Sequence, residues 1–324
     1  MKHISSIKRN LILVFGAFAF LCTGCIKESL DPCYKLYLRA ENVRGDDITV
    51  LGQVRDVSLY VFDENGNYLE TRALDKSFIT THQEIVLTNY PADKKLHLVA
   101  WGNLGDKTNQ QITEPKTLND LKLMLKSNDG IAQSPDSLYY GAKDVLATGG
   151  GISQNDTLVV RIKTGTITIK TEGVQNMTKS VNVFGFGMDN TLDTYDAAGV
   201  QTGDEVAYQP ESVYDSSISE WRTAGEVSPE TVGKAGGMQN VFPGDNLTFT
   251  LDQNGQQLMK VSKILNIETG VEEVPSVTAG GRLDIIFSFD ADGNVSARMR
   301  VSPWGIVDED IDLSLIHISE PTRR

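Results

Sequence analysis

The residue with the most distinctive chemistry is Cys25, whose thiol follows the small residue Gly24. Upstream lie a basic start ending at Arg9 and an uninterrupted apolar segment of eleven residues, 11–21. This is the layout of a secretory signal, and the apolar segment is too short for a membrane-spanning helix, which needs roughly 20 residues. We therefore predict a leader of residues 1–24, cleavage between Gly24 and Cys25, and a lipid thioether on the Cys25 sulfur.

Residues 21–25 resemble a bacterial lipobox, with an imperfect match at Cys22. The alternative is an ordinary secretory signal in which Cys25 is incidental. Stable attachment to a bilayer takes two or more acyl chains, which a lipidated Cys25 with an N-terminal palmitate would supply. The polar residues 26–31 weakly resemble surface-export signals of Gram-negative lipoproteins, so we expect a tether over residues 25–34 and an outer-membrane, cell-surface location.

Other reactive side chains are sparse, and we predict no enzyme, cofactor or metal site. His82 and His97 are the two histidines of the predicted mature chain, and neither has a metal-binding spacing. A Gly-x-Ser-x-Gly motif is absent. We interpret the adjacent acids Glu272 and Glu273 as solvated loop charges rather than a catalytic pair. Cys33 has no partner for a disulfide within one copy.

The charge balance limits the possible partners. The 324 residues carry a net charge of −13. The leader contributes +3, and residues 313–324, which resemble the translation of a sequencing adapter, contribute +1, so residues 25–312 carry −17. Such a surface repels nucleic acid and anionic membranes. Attachment to a bilayer must then come from the lipid on Cys25.

The remaining chain alternates apolar and polar residues with a period of two, which predicts short β-strands. The predicted strands are residues 35–40, 56–62, 84–90, 95–101, 157–163 and 166–171, then 180–186, 206–208, 246–251, 257–265, 282–289 and 295–301. Strands of this length and spacing indicate antiparallel sandwiches. Their grouping predicts two domains, residues 35–172 and 173–312.

Two local signals qualify this pattern. The sequence Asp-x-x-Gly occurs at residues 63–66, 196–199, 252–255 and 290–293, and predicts hairpin turns in which Gly takes a left-handed conformation. A calcium loop at residues 290–294 lacks the required Gly and Glu positions. Thr117 as N-cap, with Leu118, Leu121 and Leu125 on one face, predicts a single short helix over residues 118–127.

Three segments behind the lipobox resemble the FimB-type fimbrial anchor lipoproteins, also called fimbrillin-A-associated anchor proteins. They are residues 54–68, 98–103 and 138–141. The resemblance implies an all-β fold of two tandem transthyretin-like antiparallel β-sandwich domains. It also implies a base subunit that anchors the shaft of a fimbrium to the outer membrane and limits its length, with the shaft subunit as partner.

Subunits of such fimbria are thought to join by strand addition. Because lipid on Cys25 would hold the N-terminus, we expect the shaft to contact the far end, residues 295–312, with Val301, Trp304 and Ile306 as candidate contacts. Alternatively, this stretch is the last core strand. A second hypothesis for the whole protein is a surface lipoprotein that binds glycan or another nutrient through Trp221, Tyr208 and Tyr214.

Overall fold

A computed structural model describes residues 33–88, 90, 94–105, 108–146, 156–176, 183–224 and 237–303. The predicted leader, Cys25 and the terminal segment 313–324 lie outside these residues. Strands dominate the described chain, and the all-β prediction is confirmed. The α-helix is a single turn, α1 (Lys76–Thr80), and short 3-10 helices span Thr49–Leu51, Leu118–Asp120 and Val174–Asn176.

The first sheet has seven strands in the spatial order β3-β2-β5-β10-β11-β1-β4. Their bounds are β1 (Cys33–Glu41), β2 (Asp56–Phe62), β3 (Tyr68–Asp75), β4 (Ile85–Thr88), β5 (Lys95–Gly102), β10 (Tyr139–Leu146) and β11 (Asp156–Ile162). Only two residue pairs join β10 to β11, so the sheet divides there into two layers. Apolar side chains from all seven strands, among them Leu36, Leu59 and Leu98, fill one core between these layers.

Two further sheets, each of eight strands, form a second sandwich. One contains β12 (Gly165–Glu172), β15 (Ser212–Asp215), β16 (Glu220–Thr223), β17 (Gln239–Val241), β20 (Ile264–Asn266), β21 (Glu272–Glu273), β22 (Gly281–Phe289) and β23 (Val295–Pro303). The other contains β6 (Gln110–Ile112), β7 (Leu123–Leu125), β8 (Ser127–Asn128), β9 (Ile131–Ala132), β13 (Phe184–Tyr195), β14 (Gln201–Tyr208), β18 (Thr248–Gln253) and β19 (Gln256–Val261).

Most pairings are antiparallel, but strands distant in sequence also pair in parallel. β1 lies parallel to β11 and β12 lies parallel to β22. β6 to β9 come from the first half of the chain, yet β7 pairs with β13 and β9 pairs with β14 in the second sandwich. β6 pairs with β7, and β8 pairs with β9. The predicted division between residues 172 and 173 stays a prediction, and the pairing of β12 with β22 favours a division before Gly165.

The second core extends onto the outer face of the first sandwich. It includes Phe62, Val99 and Trp101 from β2 and β5 together with core residues of the second sandwich. The Trp101 ring is fully buried, with its centroid 4.9 Å from that of Tyr140 and 5.7 Å from that of Tyr195. This cluster holds the two sandwiches together, since burial of such rings dominates packing energy.

The predicted helix over residues 118–127 is wrong. Its Thr117 and Asp120 do form a capping box, but the 3-10 helix ends at Asp120. The chain then extends as β7, which pairs with Gln110–Ile112 and places Leu123 and Leu125 in the core. Leu123 and Leu125 are two residues apart, so they share one face of a strand, and pairing of that strand buries both side chains at once. This arrangement is therefore adopted instead of the helix. The actual helix, α1, is capped by the Asp75 side chain, which accepts a bond from the Phe78 N–H.

Candidate functional site

The predicted partner contacts fall at the end of the described chain. Val301 lies in β23, whereas Trp304 and Ile306 lie outside the described residues, as do Gly24 and Cys25. β23 pairs with β22 along all nine of its residues. On its other side it pairs with β20 at only two positions, Arg298 and Met299.

The free part of this edge is the C-terminal part of β23. The Ile267 N–H donates to the Met299 carbonyl over 2.9 Å, so Met299 directs its backbone groups toward the β20 side. Backbone direction alternates along a strand, so Val301 directs its N–H and C=O toward the same side. Among the described residues, no strand pairs there beyond Met299. We call this segment, Arg300–Pro303, the open edge.

Val301 itself faces the core. It lies directly opposite Leu283, which is fully buried, and residues directly opposite in an antiparallel pair share one face. Val301 nevertheless keeps 39% of its surface exposed. An inward-facing valine beside unpaired backbone groups is the arrangement that an added strand would complete.

The edges of the first sandwich differ from the open edge. The guanidinium of Arg72 on edge strand β3 donates to the Val86 carbonyl on edge strand β4. The Tyr90 hydroxyl, near the same site, donates to Glu70 over 2.6 Å. These two bonds link edge strand β3 to edge strand β4 and to the residues that follow β4. They reduce the unpaired edge that could template further pairing.

The first strand, β1, is paired along both of its edges. β1 pairs with β11 on one side and β4 on the other, and its Leu36 and Leu38 belong to the first core. Releasing β1 would therefore break pairing on both sides and open the core. An exchange of this strand is far costlier than an addition at the open edge.

The three aromatic residues proposed to bind glycan differ in their exposure to solvent. Tyr208 is buried, and its hydroxyl oxygen accepts a bond from the Phe242 N–H over 3.0 Å. Trp221 packs partly against the second core, 6.4 Å from the Phe184 ring. Tyr214 is 49% exposed and lies 5.6 Å from Trp221 as its cross-strand neighbour. The sequence hypothesis thus leaves one exposed ring rather than a platform of three.

Polar groups singled out in the sequence serve local structure. His97 on β5 contacts the carboxylate of Asp144, the residue opposite it on the adjacent strand β10, over 2.5 Å. The Asp290 carboxylate accepts bonds from the Asn294 side chain and from the backbone N–H groups of Asp292 and Asn294. These bonds lower the pKa of Asp290, the largest contribution coming from the Asn294 side chain. Within the described ranges, no three His, Cys, Asp or Glu residues cluster to hold a metal ion.

Residues that sequence reasoning missed meet at the junction of the sandwiches. The Lys163 ammonium donates to the Gly199 carbonyl over 2.9 Å and lies 5.2 Å and 5.6 Å from the ring centroids of Tyr140 and Tyr195. The Tyr195 hydroxyl donates to the Lys163 carbonyl over 2.8 Å. Burial lowers the pKa of Lys163, while the two ring faces favour its cation. No single-sequence signal brings these residues together.

The two β-sandwiches joined by an aromatic junction define a tandem β-sandwich protein. The helices in the described ranges are too short to span a membrane. Solved structures share this fold. A putative polysaccharide binding protein from Bacteroides thetaiotaomicron superposes with a TM-score of 0.59 at 18% identity, over 84% of this chain and 96% of the other. The fimbrial anchor protein Mfa2 from Porphyromonas gingivalis superposes with a TM-score of 0.53 at 15% identity, over 83% and 98%.

The chain belongs to the family of fimbrillin-A associated anchor proteins Mfa1 and Mfa2, whose model matches residues 30–310. It is 28% identical over 322 residues to the major fimbrium anchoring subunit FimB of Porphyromonas gingivalis, strain ATCC 33277, covering 95% of this chain and 97% of that protein. The match is equal for FimB of strain W83. The family resemblance in residues 54–68, 98–103 and 138–141 is confirmed.

Proposed function

We propose that this protein is the lipid-anchored base subunit of a fimbrium. Lipid on Cys25 holds it in the outer membrane, and the end of the chain contacts the shaft subunit. The observation that carries this proposal is the family match, which spans both sandwiches rather than one shared domain. The near-complete coverage of FimB, named as a fimbrium anchoring subunit, supports the same role.

The position of β1 supports the direction of assembly. Because β1 is paired on both sides, the first described strand after Cys25 is not easily exchanged. The open edge beside Val301 is at the other end of the chain. A subunit that receives the shaft at one end only terminates the polymer, which is how it would limit the length of the fimbrium.

The membrane step is tested by replacing the lipidated thiol. Cys25→Ala should release the protein from the outer-membrane fraction into the soluble fraction with an unchanged melting temperature, because lipid is the attachment that this acidic protein would need. Cys33→Ala is the matched control and should stay in the membrane. Retention of the Cys25→Ala protein in the membrane would refute the lipid anchor.

The shaft contact is tested at the open edge. Deleting residues 307–324 should leave a folded, membrane-bound protein that no longer retains fimbriae. Val301→Lys should weaken recovery of shaft protein in pull-downs from envelope extracts, because a charge opposes strand addition. Val183→Lys, at a position 50% exposed next to β13 in the other sheet of the same sandwich, is the control. Normal retention of fimbriae by the truncated protein would contradict a contact through residues 307–312, and normal recovery of shaft protein by the Val301→Lys protein would contradict the open edge.

A further inference from the structure

A cavity of about 710 Å³ opens beside the junction of the two sandwiches. Its walls come from Lys163, from β13 and β14, and from the loops at residues 243–246 and 277–279. A volume of this size accommodates a small organic ligand. The anchoring role described above does not use it.

The cavity wall is preformed. Asn190 and Asn246 both adopt left-handed backbone conformations, with φ of 78° and 58°, and the Asn190 side chain donates to the Asn246 carbonyl over 2.8 Å. The two loops are joined by a pair of backbone bonds between Gly244 and Val277, each 3.0 Å long. Such uncommon conformations persist where the surrounding structure holds them, and they concentrate at functional sites.

The polar groups around the cavity are mostly acceptors with free capacity. Asn190 and Gln201 use their amide N–H groups on the Asn246 and Pro243 carbonyls, which leaves their amide oxygens available. Glu205 and Asp245 are exposed carboxylates with no hydrogen bond or ion pair to any described residue. These four oxygen-bearing side chains can accept bonds from a ligand that donates several.

Lys163 adds the donor. Its ammonium has three N–H groups and uses one on the Gly199 carbonyl. No described carboxylate lies within ion-pair distance of it, although Asp196 is near enough to raise its pKa slightly against the effect of burial. Leu192 and Pro243 supply apolar surface to the same cavity. The carboxylates of Glu205 and Asp245 disfavour an anionic ligand, and the Lys163 ammonium disfavours a cation placed beside it.

We propose that this cavity binds a neutral, hydroxyl-rich ligand, a short oligosaccharide. Its hydroxyl groups would donate to the acceptors of Asn190, Gln201, Glu205 and Asp245 and accept from Lys163, while its C–H surface would lie on Leu192 and Pro243. This site is separate from the exposed ring of Tyr214. The inference is independent of the anchoring function, so either can fail alone.

The test is calorimetric titration of the full-length lipoprotein in detergent with a panel of ligands. The neutral probes are di- to tetrasaccharides of glucose, galactose, mannose and N-acetylglucosamine. Oligogalacturonate and a lysine tripeptide are the anionic and cationic comparisons. At least one neutral oligosaccharide should bind at millimolar concentration or below, and the charged probes should bind more weakly.

Variants locate the site. Asp245→Ala and Glu205→Ala should each weaken binding about tenfold, the effect of losing a hydrogen bond to a charged group. Ala279→Trp should abolish binding by filling the cavity. Glu114→Ala, an exposed acid outside the cavity, should bind normally, and all four variants should keep the wild-type melting temperature. Absence of neutral binding, preference for a charged probe, or binding that is indifferent to the cavity variants would each overturn the proposal.

Discussion

Two turns of this protein share one local structure and differ in everything around it. In the turn at residues 196–199, the Asp196 carboxylate accepts from the N–H groups of Ala198 and Val200, and Gly199 has φ of 69°. In the turn at residues 290–293, Asp290 makes the equivalent bonds two and four residues on, and Gly293 has φ of 82°. Each Gly N–H also returns to its Asp carbonyl, over 3.0 Å and 3.1 Å.

The surroundings differ completely. A Cβ added to Gly199 would lie 2.5 Å from the Tyr140 ring, whereas a Cβ added to Gly293 would meet nothing within 4 Å. The Tyr140 hydroxyl also donates to the Ala197 carbonyl over 2.9 Å, so the first turn is bonded to the other sandwich. Identical turn chemistry thus forms part of the junction in one place and a free hairpin tip in the other. The local sequence determines the shape of a turn, whereas the residues packed around the turn determine how much it contributes to stability.

The largest expected effect is at the junction turn. Gly199→Val should destabilise the protein by about 3 kcal/mol or more, since left-handed strain and overpacking each cost about 1–3 kcal/mol. Differential scanning calorimetry should show a melting temperature lower by roughly 6 °C or more.

A second background separates the two causes. In a Tyr140→Ala protein, the further cost of Gly199→Val should fall toward that of the same change at a free turn, because the clashing ring is gone. An unchanged cost in that background would mean that contact with Tyr140 contributes nothing, and the contrast between the turns would disappear.

A smaller effect is expected at two turns where an added Cβ would meet no clash. Gly66→Val and Gly293→Val should each destabilise by about 1 kcal/mol or more, because valine disfavours the positive φ of both positions. The two costs should be similar, since a Cβ added to Gly66 would lie at an ordinary van der Waals distance, 3.5 Å, from that of Leu118. Chemical denaturation measures both. Wild-type stability in both variants would show that positive φ carries no penalty here.

The smallest effect is a pH dependence at the free turn. Hydrogen bonds lower the pKa of the Asp290 carboxyl in the folded state, so folding favours its charged form. The contribution of this shift to stability is therefore complete above the pKa of the unfolded state, about 3.8. It is lost as the pH falls through the lower pKa of the folded state. Asp290→Asn should flatten the fall in melting temperature below about pH 5 relative to wild type. Asn294→Ala, which removes the side-chain bond that contributes most, should flatten the slope in part.

Local patterns predicted many elements well. The strands at residues 56–62, 282–289 and 295–301 were found with nearly the same bounds, because apolar residues recur at every second position in each, although β2 is buried on both faces. Three of the four Asp-x-x-Gly turns have the predicted form. The fourth is a two-residue turn of Asn254 and Gly255, both with positive φ, so Asp252 pairs within β18 instead of starting the turn.

Errors arose where a pattern allowed two periods or was weak. The leucines of residues 118–127 fit a helix as well as a strand, and the partner strand at Gln110–Ile112 decided between them. The predicted strand over residues 257–265 is two strands, β19 and β20, which belong to different sheets. β10 was not among the predicted strands, because Tyr139 and Tyr140 lie buried and half-buried on opposite faces, with apolar cores on both sides.

By itself the sequence determined the strand-rich class, the hairpin turns, the acidic charge and the predicted lipid site, because each depends on residues close together in the chain. Only the tertiary structure decided that β6 to β9 join the second sandwich, that Trp101 and Lys163 meet at a junction, and that no described strand pairs with the edge beside Val301. Alternation tells a strand which residues share a face. It does not specify the partner strand, because backbone hydrogen bonds are the same for every pair and the choice depends on packing between residues far apart in sequence.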